Sequence, residues 1–148
     1  MKIDDVKRIL VIGAGTMGHQ IGFLCAMHGY DVVVYDVNDD FLAAAQRRVD
    51  RLADRFISRK RLAEAQKESV LARMVYTSDA EAAAADADIV TESVPEDPAL
   101  KGKIFGQFNR LCTPRTVFTT NTSSLVPSMF ADATGRPDRF LAFHFHDI

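Results

Sequence analysis

Short, continuous apolar runs alternate with longer stretches of helical spacing along the whole chain. A continuous run is the form a strand takes when both faces of a parallel sheet are covered. Arg8-Ile-Leu-Val-Ile-Gly13 is the first such run. From Thr16 the apolar positions Met17, Ile21, Leu24 and Cys25 fall at helical spacing, and the pattern stops at His28-Gly29, where glycine suits a left-handed C-terminal cap. Asp31-Val-Val-Val-Tyr-Asp36 reads as a second buried strand, so the chain opens β-α-β. Beyond it, Phe41, Leu42, Ala45, Val49, Leu52 and Phe56 keep helical spacing for about five turns. Ser58-Arg-Lys-Arg61 interrupts the pattern, and 62–73 predicts a second helix. Two helices exceed what a minimal crossover needs, which predicts a helical hairpin standing off the sheet.

The alternation continues to the end. Strands are expected at 74–77, 87–92, 116–120 and 139–143, with helices at 80–85 behind an Asp79 cap, at 98–111 behind Pro98, and a short one at 126–131. Six strands alternating with helices predict an α/β fold, a Rossmann-type doubly wound parallel sheet in the order 3-2-1-4-5-6, with a helical hairpin inserted after the second strand. In such sheets the ligand site lies at the carboxyl ends of the strands.

With 148 residues there is room for one domain, taken as 1–148. The net charge of −2 and the absence of a long basic run give no electrostatic footprint for nucleic acid or an anionic membrane. The charged N-terminus, followed by an apolar stretch of only 9–12, does not resemble a signal peptide, so a cytoplasmic protein is the default. Cys25 and Cys112, without metal or redox spacing, read as reduced core thiols.

Gly13-Ala-Gly15-Thr-Met-Gly18 fits the G-x-G-x-x-G dinucleotide pattern, and its placement between strand and helix strengthens a motif that is weak alone. Gly13 serves the tight turn, Gly15 the approach of backbone to a pyrophosphate, and Gly18 the packing of helix on strand, extended by Gly22. The first-turn N–H groups of Thr16 and Met17 face the phosphates at the positive end of the helix. Asp36 ends the second strand, where a carboxylate accepts from both adenosine ribose hydroxyls, and Val37-Asn38 supplies no arginine for a 2′-phosphate. NAD is therefore the expected cofactor, rather than NADP.

Asn121-Thr-Ser-Ser-Leu125, followed by Asp138-Arg-Phe-Leu-Ala-Phe143 running into His144-Phe145, resembles the NAD-binding domain of 3-hydroxyacyl-CoA dehydrogenases. The resemblance spans essentially the whole chain. It implies that His144 is the catalytic histidine, Ser123 the serine that hydrogen-bonds the reacting oxygen, and Asn121 a polar residue on the nicotinamide side. Glu96 and Lys101 match the family's cofactor-contacting glutamate and lysine, and Ser123 joins them beside the cofactor. The implied substrate is an acyl-CoA or a related small molecule, and the implied setting is fatty acid metabolism. The resemblance further implies a C-terminal helical domain, apparently absent from this chain, through which the full-length protein could be a homodimer. The isolated chain is then expected to be a fragment, and inactive.

Three departures qualify the match. His144 is followed by Phe145-His146-Asp147, so Asp147 stands where the family has an asparagine, and substrate class is less fixed. The glutamate that pairs with the histidine falls, in the family, beyond this chain. Leu52 stands where the family's helix offers a serine to coenzyme A. Two rivals follow: a dehydrogenase of free hydroxy or sugar acids, and a non-catalytic dinucleotide-binding module. A metal site at His144, His146 and Asp147 is not expected, for want of a further ligand. His19 is expected to face solvent, His28 to end its helix, and the Arg47-Arg48 and Arg59-Lys60-Arg61 clusters to be solvated.

Overall fold

A computed structural model describes residues 2–146. Six strands form one parallel sheet: β1 (Arg8–Ile12), β2 (Asp31–Tyr35), β3 (Met74–Thr77), β4 (Ile89–Glu92), β5 (Val117–Thr120) and β6 (Phe140–Ala142), in the order β3-β2-β1-β4-β5-β6. Both the fold class and the strand order agree with the sequence pattern. Because side chains alternate across a strand, the apolar runs serve two cores at once. Ile9, Val11, Val32 and Val34 face one layer, with α1 (Thr16–Met27) and α2 (Asp39–Ser58) above them. Leu10, Ile12, Val33 and Tyr35 face the other, with α4 (Ala80–Ala84) and α5 (Pro98–Leu111).

The inserted helices after β2 are present, but their placement and lengths differ from expectation. Instead of standing off the sheet, α2 lies on α1 and buries Leu42, Ala45, Val49, Leu52, Ala53 and Phe56, with Phe56 edge-on to Phe23 at 5.3 Å. Burial of each large side chain here contributes about 1.5–3 kcal/mol, enough to draw the helix inward. The helix expected over 62–73 is a 3₁₀ turn (Glu64–Gln66) followed by the five-residue α3 (Lys67–Leu71). Only Leu62 and Val70 of this stretch are deeply buried, so a long helix would have no anchor in its middle turns. Lys67 instead reaches back to Asp50 and Asp54 of α2 at 2.9 and 2.6 Å.

Between β5 and β6 the expected helix at 126–131 is replaced by 3₁₀ turns at Pro127–Met129, Asp132–Thr134 and Pro137–Arg139, with Gly135 left-handed at φ +67°. Buried Arg136 holds this segment in place. Its guanidinium donates to the Thr113 and Thr116 carbonyls and to Asn109, and stacks 4.5 Å over the Phe118 ring. No described helix is long and apolar enough to cross a membrane. Burial pushes the Cys25 and Cys112 pKa values up to about 11, which keeps both thiols protonated near neutral pH.

Candidate functional site

The carboxyl ends of the strands are stitched into a row. Gly13 N donates to the Tyr35 carbonyl, Ser93 N to Ile12, Asn121 N to Glu92, and Phe143 N to Thr120, at 2.8–3.0 Å. The segments that follow β1, β4, β5 and β6 are thus delivered to a common edge, and the candidate residues lie along it.

At the β1 end, Gly13 adopts φ +100°, and a Cβ there would meet the Ser93 carbonyl at 2.8 Å. Gly18 packs so closely on the Gly13 carbonyl that no side chain fits. Gly15 is the opposite case: it is exposed, N-caps α1, and a Cβ there would meet nothing within 4 Å. The open space at Gly15 borders the first turn of α1, whose N–H groups at Thr16 and Met17 have no intrahelical acceptor. Asp36 lies beside this turn, its Oδ2 accepting from Ala14 N at 2.8 Å and its Oδ1 from Asn38 N at 3.2 Å. A bare backbone cradle, a positive helix end and an anchored carboxylate fit a dinucleotide.

Contrary to expectation, His19 does not face solvent. It is 8% exposed, and its Nδ1 lies 2.7 Å from the Gly15 carbonyl oxygen. Burial, helped by Arg48, Arg51 and Arg55 of α2, holds its pKa below the usual imidazole range against the opposing pull of the Gly15 bond. His28 caps the far end of α1, and Arg47-Arg48 on α2 and Arg59-Lys60-Arg61 just after it are exposed.

At the β4 and β5 ends a second group converges. Lys101 is 1% exposed, and its ammonium reaches Glu92 Oε1 at 2.6 Å, the Val94 carbonyl at 3.3 Å and Glu96 Oε2 at 3.4 Å. Its three donors are thereby occupied. Fully buried Glu92 also accepts from Val94 N at 2.7 Å and, through Oε2, from the Thr120 hydroxyl at 2.7 Å. Glu96 accepts from Thr122 Oγ1 at 3.0 and 2.9 Å and from Ser123 N at 2.8 Å. Burial raises the Glu96 pKa, but these donors and Lys101 outweigh it and hold the carboxyl below its ordinary value. Glu92 and Thr122 were missed by sequence reasoning; the one available signal was a carboxylate at a strand end with a lysine one turn into the next helix.

Ser123 Oγ lies 2.8 Å from His144 Nε2, on an exposed surface. Asn121 Oδ1 accepts from Phe145 N at 2.6 Å, which fixes the backbone beside His144. The rings of His144 and His146 are 4.7 Å apart between centroids, while Asp147 lies outside the described residues. Of the expected site residues, Gly13, Gly15, Thr16, Met17, Gly18 and Asp36 gather at one part of the edge, and Glu96, Lys101, Asn121, Ser123 and His144 at another. An imidazole and a hydroxyl meeting at one exposed point can serve proton transfer to or from a bound oxygen.

Residues 8–147 match the family model for the 3-hydroxyacyl-CoA dehydrogenase NAD-binding domain. The chain is 35% identical to the 3-hydroxybutyryl-CoA dehydrogenase of Bradyrhizobium diazoefficiens, covering 95% of this chain and 47% of that protein. Among solved structures it is similar to (S)-3-hydroxybutyryl-CoA dehydrogenase from Ralstonia eutropha (34% identity, TM-score 0.91, covering 97% of this chain and 50% of that one). A diketoreductase described as acting on dicarbonyl compounds is also similar (39% identity, TM-score 0.89, covering 96% and 50%). The chain spans about half the length of these relatives.

Proposed function

Because this chain belongs to the 3-hydroxyacyl-CoA dehydrogenase NAD-binding domain family, with NAD as its cofactor, we propose that it forms the cofactor-holding half of an enzyme that interconverts 3-hydroxyacyl-CoA and 3-oxoacyl-CoA. The observation that carries this reading is the 2.8 Å approach of Ser123 Oγ to His144 Nε2. Bound NAD supplies the acceptor for the hydride leaving the carbinol carbon. His144 Nε2 takes the hydroxyl proton, and Ser123 Oγ donates to the same oxygen as it becomes a carbonyl. Gly15 and the N–H groups of Thr16 and Met17 would hold the pyrophosphate, with Gly13 shaping the turn and Gly18 seating the helix behind it, and Asp36 would take the adenosine ribose. Glu96 and Asn121 position the nicotinamide side. Lys101 supports that side from beneath, since Glu92, Val94 and Glu96 already occupy its ammonium.

The wall that encloses the acyl group and the carboxylate that orients His144 belong, on this reading, to a second half of the protein. A homodimer through that half, a cytoplasmic location and a place in fatty acid metabolism complete the proposal. The test is NADH absorbance with acetoacetyl-CoA, using protein that includes the second half. Turnover that disappears in His144→Ala supports the reading, and an unaffected rate refutes it.

A second reading, reduction of a small dicarbonyl without coenzyme A, has two observations in its favour. The diketoreductase is 39% identical. Leu52, where the family offers a serine to coenzyme A, is 3% exposed in the core. Activity on free diketones with none on any thioester would select it.

A further inference from the structure

We propose that His19 is a positioning residue for the cofactor, acting through the Gly15–Thr16 peptide to aim the Thr16 N–H at the pyrophosphate. The proposal rests on NAD binding at the glycine turn, as above. In a trans peptide the carbonyl of one residue and the N–H of the next share a plane and point in opposite directions. Fixing the Gly15 oxygen inside α1 therefore fixes the Thr16 N–H outside it. The Gly15 carbonyl accepts its ordinary helical bond from His19 N at a long 3.3 Å, and the imidazole Nδ1 of the same residue approaches it at 2.7 Å. The side chain is thus the closer partner. One residue on, the arrangement repeats: Gln20 Nε2 donates to the Thr16 carbonyl at 3.1 Å, which orients the Met17 N–H in the same sense. Two consecutive peptides of the anion-facing turn are each pinned by a side chain four residues ahead.

The bonds of Gly13 N to Tyr35 and of Ala14 N to Asp36 hold the turn just before this peptide, and the orientation of the Gly15–Thr16 peptide itself is left to the bonds at the Gly15 carbonyl. Gly15 and Thr16 are exposed, and glycine gives the backbone its widest conformational range. Burial of His19 against the arginine-bearing face of α2 disfavours a second ring proton, and with Nδ1 turned to a carbonyl the neutral ring carries its proton on Nδ1. The bond holds in either protonation state, because Nδ1 is a donor in both.

The experiment uses residues 1–148 and calorimetric titration with NAD, ADP-ribose and adenosine, on the wild type, His19→Leu, His19→Gln and Gln20→Leu. Leucine keeps apolar bulk but cannot donate. Glutamine can, as Gln20 does to Thr16. His19→Leu should bind NAD and ADP-ribose about five- to tenfold more weakly, the size of one lost hydrogen bond, with adenosine unchanged. His19→Gln should recover most of that loss, and Gln20→Leu should show a smaller one. Thermal melts establish that each variant is folded; should His19→Leu fail to fold, the Gln20→Leu comparison decides. Equal NAD affinity in a folded His19→Leu, or equal losses in the leucine and glutamine variants, would overturn the proposal. Absence of NAD binding by the wild type would instead overturn the reading beneath it.

Discussion

Two histidines bond an oxygen at nearly equal length in opposite surroundings. Buried His19 holds its Nδ1 2.7 Å from a backbone carbonyl at the start of α1, whereas His144 Nε2 sits 2.8 Å from a side-chain hydroxyl on an exposed edge. The same division runs through the regions around them. The glycine turn is fixed by backbone packing and central strands buried on both faces. The His144 side is reached through a three-residue edge strand, β6, with Leu141 and Phe143 exposed. On the proposed function, the first region holds the cofactor, and the second presents its groups on an open edge, where a site without an enclosing wall loses both positioning and the exclusion of water.

The sharpest way to break this contrast is to ask the open side for turnover. Residues 1–148 alone should reduce acetoacetyl-CoA at least about 10⁴-fold more slowly than protein carrying the second half, a loss of the size seen when a serine protease loses its histidine-orienting carboxylate. NADH absorbance on both lengths checks it. Comparable rates would mean that the open side is already complete.

The link between the two regions is the buried pair of Glu92 and Lys101. Lys101→Met should destabilise the chain by about 3–5 kcal/mol, because it leaves the Glu92 carboxylate uncompensated. Removing both charges together, as Glu92→Gln with Lys101→Met, should recover much of the loss. Urea midpoints for the two single variants and the double variant measure this coupling.

Within the closed region the glycines should separate by role. Gly15→Val should weaken NAD at least about a hundredfold while melting near the wild type, because its backbone is extended and no atom opposes the new side chain. Gly18→Val should fail to fold, since its side chain would occupy the Gly13 carbonyl. Unchanged NAD affinity in a folded Gly15→Val would move the cofactor elsewhere.

Smallest is a pH effect. The folded pKa of His19 is depressed, so its contribution to stability is fully present above the unfolded value near 6.5 and is lost as pH falls through the folded value. Stability should decline as pH falls through the unfolded value near 6.5 and below it, and less steeply in His19→Gln. Equal slopes would remove His19 from the account.

The sheet was legible because its strands are covered on both faces and therefore read as unbroken apolar runs, as in Ile9–Ile12 and Val32–Tyr35. The glycine turn was legible because sterics at Gly13 and Gly18 demand residues without a side chain. What could not be read were interactions fixed only by packing. His19 looked like a polar helix position until α2 folded over it, and 62–73 looked helical because its composition is, although only Leu62 and Val70 find a core. Glu92 gave only the faint sign of a lysine one turn into the next helix, since that partner lies nine residues on and the Thr120 hydroxyl it also accepts from sits on another strand. Ser123 and His144, 21 residues apart in sequence, were brought together by resemblance to a family rather than by local pattern.

The central claim is that this chain is an NAD-holding domain whose preference is set at the end of β2. Calorimetric titration of residues 1–148 with NAD and NADP tests it most directly. Asp36, anchored by Ala14 N and Asn38 N with no arginine in the following Val37-Asn38, should make NADP bind at least about tenfold more weakly, or roughly 1.4 kcal/mol. Asp36→Ala should narrow the gap. Equal affinities for the two cofactors, or no binding of either, would contradict the account.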